Sequence, residues 1–217
     1  VILIHGGVGD IPVKPKDWGI YTSMGRGIAA SGLAAVAFNQ RLSYPQRRYE
    51  EGAQDIKDLI AYLRKNAASL QIDPDRLCLV VLSGSGPMLS LVLRESLPYM
   101  RCAVALYSFL DTKHVDLKEA RLTADVRDQY SPLINLKQFP QNAPPLLLIR
   151  SGKDALKAVN ESIDLFIPEA LRQNILIEIL NHPTGEHGFD HANNDETSKR
   201  FIRRWIGFMK EHLTEDQ

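Results

Sequence analysis

Short, largely apolar runs alternate along this chain with longer segments whose apolar positions recur every three to four residues. The runs are Val1–Ile4 (VILI), Leu33–Phe38 (LAAVAF), Leu77–Leu82 (LCLVVL), Cys102–Tyr107 (CAVALY), Leu146–Ile149 (LLLI) and Asn174–Leu180 (NILIEIL). Their length and richness in branched residues predict strands buried on both faces. Between them, Ile56, Leu59, Ile60 and Leu63 follow the i, i+3, i+4, i+7 spacing of a helix over 51–70,. Helices are also predicted over Tyr21–Ser31, over MLSLVLRES after Pro87, over Ala158–Gln173 with a distortion at Pro168, and over Asp195–His212,. The last shows Phe201, Ile202, Trp205, Phe208 and Met209 on one face. Strand and helix in strict alternation predict an α/β fold, a doubly wound, mostly parallel sheet with helices on both faces.

No repeat, low-complexity tract or linker divides the pattern, so one domain over 1–217 is expected,. The weakly periodic, charged segment 111–142 is equally well read as a small cap insertion over a pocket or as surface packing. Because the chain begins inside an apolar run, strands preceding Val1 are expected to be missing, and both cytoplasmic and exported locations stay open.

Charge narrows the partners. The 26 Lys and Arg balance 26 Asp and Glu, so no global field recruits nucleic acid or an anionic surface. No apolar run approaches the roughly 20 residues of a membrane span. Cys78 and Cys102, each inside a predicted strand and with no CxxC, are expected to be buried reduced thiols,.

The chemistry centres on RLCLVVLSGSGP, Arg76–Pro87, where a strand stops at Ser-Gly-Ser-Gly and gives way to a helix. A serine in such a turn stands exposed at the strand's end and is a candidate nucleophile. Ser83 and Ser85 both qualify. Ser83 lies one strand length beyond Arg76, and Gly84 after it offers a backbone N–H at the helix start, where an oxyanion is stabilised; Ser85 would leave Pro87 in the crowded side of the turn.

A serine needs a base, and the base needs a group that orients it. Asp154 follows the fifth strand in Ser151-Gly152-Lys153-Asp154, and His187 follows the last in Gly185-Glu186-His187-Gly188-Phe189. His182 and His191 flank the same loop and compete as base. Gly6 or Gly7 of His5-Gly6-Gly7, after the first strand, together with Gly84, would donate to an oxyanion,.

These segments together resemble the α/β-hydrolases of the dienelactone-hydrolase and prolyl-oligopeptidase-like esterase group. The shared motifs are His5-Gly6-Gly7, Asp73-Pro74-Asp75-Arg76, Gly152-Lys153-Asp154 and Gly185-Glu186-His187-Gly188-Phe189, and the similarity runs over nearly the whole chain. The resemblance implies an α/β-hydrolase fold, a serine hydrolase cleaving a small ester or related acyl substrate without metal or cofactor, and a Ser83-His187-Asp154 triad. It also selects Ser83, seven positions after Arg76, and implies two further strands before the HGG strand. Val81 and Ser85 occupy the two positions usually held by glycine around the nucleophile, a departure that motivates the alternative of a non-catalytic binding protein on the same fold. A short-peptide peptidase is the other alternative.

Overall fold

Six parallel strands form one sheet in the order β2-β1-β3-β4-β5-β6: β1 (Ile2–Ile4), β2 (Val36–Ala37), β3 (Leu77–Leu82), β4 (Met100–Leu106), β5 (Leu146–Ser151) and β6 (Ile177–His182). The computed structural model describes residues 1–6, 8, 9, 14–140 and 142–214. Among these, the helices are α1 (Gly19–Ala30), α2 (Tyr49–Lys65), α3 (Ala67–Leu70), α4 (Ser90–Arg94), α5 (Leu117–Ala120), α6 (Ala124–Gln129), α7 (Pro132–Asn135), α8 (Lys157–Arg172), α9 (Phe189–Ala192) and α10 (Glu196–Thr214).

The strands are apolar throughout because both faces are covered. Leu79, Val81, Ala103, Ala105 and Leu148 point into a layer with Ile56 and Ile60 of α2 and Ile163 and Phe166 of α8. Their neighbours Cys78, Val80, Leu82, Val104 and Leu147 point the other way, onto Met24 and Ile28 of α1 and Trp205, Phe208 and Met209 of α10. This period-two alternation sets the sheet between two helical layers.

The register pairs Cys78 with Cys102 across β3 and β4, with Cα atoms 4.7 Å apart, and the two are joined as a disulfide. The expectation of reduced thiols is therefore corrected: pairing of two strands, invisible in a 24-residue sequence separation, places both sulfurs on the same side of the sheet. Two other expectations shift. The segment after Leu82 starts as a 3-10 helix, Ser83–Leu89, and becomes α-helical only at Ser90. The edge strand β2 keeps two of its six predicted residues. α8 is continuous from Lys157 to Arg172 with Pro168 inside it, on the exposed face with Asp164.

Segment 111–142 carries α5, α6 and α7 and packs Leu122, Val126, Leu133, Leu136 and Phe139 against the α2/α8 layer. No described helix is long and apolar enough to cross a membrane.

Candidate active site

All strands run parallel, so the turns after β1, β3, β4, β5 and β6 gather at one rim of the sheet, where ligands collect in open α/β folds,. Ser83, the first residue after β3, has φ 53°, a left-handed conformation that non-glycine residues seldom adopt,. Such strain is stored where a side chain must be presented in one direction. The turn closes tightly on its far side. A Cβ on Gly86 would stand 2.1 Å from the Phe109 carbonyl oxygen, so the chain passes there only because position 86 lacks a side chain,. The Phe109 N–H donates to the Ser83 carbonyl at 3.0 Å.

Val81 causes no obstruction. Its side chain is wholly buried in the core layer, on the opposite side of the strand from Leu82, and Ser83 remains half-buried. Ser85 is fully buried; its hydroxyl lies 2.8 Å from each of the Ile4 and Leu82 carbonyls and accepts from the Leu82 N–H. It ties the elbow to β1 and has no access to solvent.

The acid and the imidazole are set by two turns laced together. Gly152 N–H donates to the His182 carbonyl at 2.8 Å and Lys153 N–H to the Gly185 carbonyl at 2.9 Å, linking the turn after β5 to the loop after β6. A Cβ on Gly152 would lie 2.6 Å from the Pro183 carbonyl oxygen, so this approach too depends on glycine. Asp154, its side chain inaccessible to solvent, accepts from the Leu156 N–H through Oδ1 at 2.8 Å and lies 2.7 Å from His187 Nδ1 through Oδ2. His187 Nε2 lies 2.8 Å from Ser83 Oγ. With Nδ1–H donating to the carboxylate, Nε2 is left as an acceptor for the serine proton.

The rival histidines are placed elsewhere. His182 is buried with Nε2 2.9 Å from Ser198 Oγ, which itself donates to Asp195. His191 is largely exposed, its Nδ1 3.8 Å from Asp190 Oδ1.

Gly6 comes up beside the elbow: a Cβ built on it would meet the Gly84 nitrogen at 3.4 Å. Nearby, the His5 ring lies against the Gly6 carbonyl, its Nδ1 2.7 Å away, and burial pulls its imidazole below the ordinary range. Gly7 falls outside the described residues. Among those described, no group of three His, Cys, Asp or Glu side chains is arranged to hold a metal ion.

Two residues at this rim went unremarked in the sequence. Tyr107, at the end of β4, donates its hydroxyl to Asp190 Oδ1 at 2.7 Å, and its ring stands edge-on to His187 with centroids 4.9 Å apart. The only sequence signal was a tyrosine closing the apolar run CAVALY and an aspartate three residues past His187.

Residues 1–97 match the BD-FAE family model. No curated protein matches the sequence. Among solved structures, the chain is similar to an acetyl ester-xyloside bifunctional hydrolase from Caldicellulosiruptor lactoaceticus at a TM-score of 0.72 and 18% identity, over 97% of this chain and 81% of that one. It is similar to the acylaminoacyl peptidase of Pyrococcus horikoshii at 0.77 and 19%, over 100% of this chain and 37% of that one. A third is Thermogutta terrifontis esterase 2 phosphorylated by paraoxon, at 0.74 and 16%, over 99% of this chain and 84% of that one.

Proposed function

From the α/β-hydrolase fold that the chain shares with these structures, we propose that it is a serine hydrolase of carboxylic esters or related acyl compounds, with Ser83, His187 and Asp154 as its triad. The observation that carries this reading is the unbroken relay from Ser83 Oγ through the imidazole to the buried Asp154 carboxylate.

Ser83 Oγ attacks the substrate carbonyl while its proton passes to His187 Nε2. Asp154 keeps Nδ1–H pointed at itself and stabilises the imidazolium. The carbonyl oxygen becomes an oxyanion beside the Gly84 N–H and the backbone of Gly6; each donor in such a hole contributes about 3 kcal/mol. The alcohol leaves with the proton from Nε2, giving the acyl-enzyme. A water then delivers its proton to Nε2, its oxygen takes the acyl group, and Ser83 recovers the proton as the acid departs.

Two observations support catalysis over a binding role on the same fold. The three side chains lie within hydrogen-bond reach, and Val81 leaves Ser83 open. Thermogutta terrifontis esterase 2 is phosphorylated by paraoxon, the reaction expected of an activated serine, and the same reactivity is assigned here to Ser83,. Short p-nitrophenyl esters test the reading: the wild type hydrolyses them and Ser83→Ala does not, whereas unchanged hydrolysis in Ser83→Ala would overturn it. Competing these esters with short peptides separates esterase from peptidase.

A further inference from the structure

We infer that Tyr107 and Asp190 form a positioning pair for His187, steadying the imidazole from a side that neither Ser83 nor Asp154 touches and adding a second buried negative charge near it. The inference rests on the reading of His187 as the base.

Hydrogen bonds at Nδ1 and Nε2 fix two points of an imidazole and leave it free to rock about the line joining them. The Tyr107 ring removes that freedom. It meets His187 at an interplanar angle of 64° and Phe189 at 85°, with centroids 4.9 and 5.9 Å away, so it is wedged between two rings of the histidine loop. Its own place is doubly set: φ is 36°, strained for a residue with a side chain, and its N–H donates to the Ile149 carbonyl at 2.8 Å,. A tyrosine forced into the left-handed region at the end of a core strand is held there for its side chain's direction. The hydroxyl then reaches Asp190, whose side chain is only 4% exposed.

Charge follows from the same geometry. Burial pushes the Asp190 carboxyl up, while the Tyr107 hydrogen bond and the nearby His191 and His187 pull it down. An ionised Asp190 attracts the imidazolium that must appear when Ser83 gives up its proton. Titratable groups face the pair from several elements. The histidine loop and α9 bring His187 and His191, α1 brings Tyr21, and the turn after β5 brings Asp154. α10 borders Asp190 and His191 across a small cavity with the uncharged Ile202, Trp205 and Ile206.

The test pairs enzyme kinetics with NMR of the His187 ring across pH. Asp190→Asn moves the His187 ring titration and the acidic limb of kcat/KM together to lower pH. Tyr107→Phe keeps the ring but strips Asp190 of its donor, shifting both in the same direction with kcat within a few-fold of wild type. Tyr107→Leu loses the ring and lowers kcat about 10-fold with little change in KM. His191→Gln removes the other imidazole near Asp190 and leaves the Asp190→Asn shift in place. The inference is overturned if the His187 titration stays put in both Asp190→Asn and Tyr107→Phe and kcat survives Tyr107→Leu. Should Asp190→Asn fail to fold, Tyr107→Phe carries the measurement. The NMR titration needs no turnover, so an inactive wild type would sink the esterase reading while the positioning of His187 is still read.

Discussion

Gly86 and the Phe109 carbonyl are in such close approach that the smallest side chain at position 86 would stand 2.1 Å from the carbonyl oxygen. The elbow is therefore shaped by a glycine three residues beyond Ser83, while the positions two before and two after the serine carry Val81 and Ser85 without conflict. Gly86→Ala must displace either the elbow or the Phe109 backbone. We expect a loss of about 1–3 kcal/mol in urea unfolding and a fall in turnover larger than stability alone accounts for. Equal stability and activity in this variant would show that the contact is not needed.

Asp154 accepts from Leu156 N–H with one oxygen and meets His187 with the other. Asp154→Asn keeps the shape but lets the imidazole settle in the wrong tautomer, with Nε2–H facing the serine. A loss of about 10³- to 10⁴-fold in kcat is expected, with the melting temperature close to wild type, read by steady-state kinetics and calorimetry.

Much of this could be read from the apolar pattern, and where it could not the reason is spatial. β3 runs Leu77–Leu82 as its composition predicts, and the order Ser83, Asp154, His187 shows in the turns that follow β3, β5 and β6. Spacing from Arg76 already favours Ser83 over Ser85, and the packing of β1 supplies the physical reason, because the Ile4 carbonyl is what occupies the Ser85 hydroxyl. Tyr107 and Asp190 meet across 83 residues, and Cys78 meets Cys102 through strand register. Neither pairing leaves a periodicity in the sequence.

The Cys78–Cys102 disulfide closes a loop spanning a separation of 24 residues in the layer beneath α10. Replacing both cysteines by alanine is expected to cost about 3 kcal/mol, mostly by freeing the unfolded chain, measured as a lower urea midpoint than that of the oxidised wild type. Thiol titration of unreduced protein in denaturant should find Cys78 and Cys102 unreactive; two titrating thiols would contradict the bridge.

Asp190 gives stability a definite pH dependence. Its carboxyl is raised from an ordinary value of 3.8, chiefly by burial, so between that value and the folded one the native state binds more protons than the unfolded chain. Its contribution to stability therefore falls as pH rises through that window and levels off above it. Asp190→Asn removes the effect while still accepting from Tyr107. The variant's stability relative to wild type should climb from roughly pH 4 upward, tracked by melting temperature across pH; a constant difference would contradict the assignment.

Reaction with a fluorophosphonate followed by intact mass and peptide mapping addresses the central claim most directly, because the adduct forms on an activated nucleophile and mapping shows which residue that is. One adduct per chain on Ser83, abolished in Ser83→Ala and absent from Ser85, is the predicted result. A folded wild type that stays unmodified, or is modified at another residue, would contradict it.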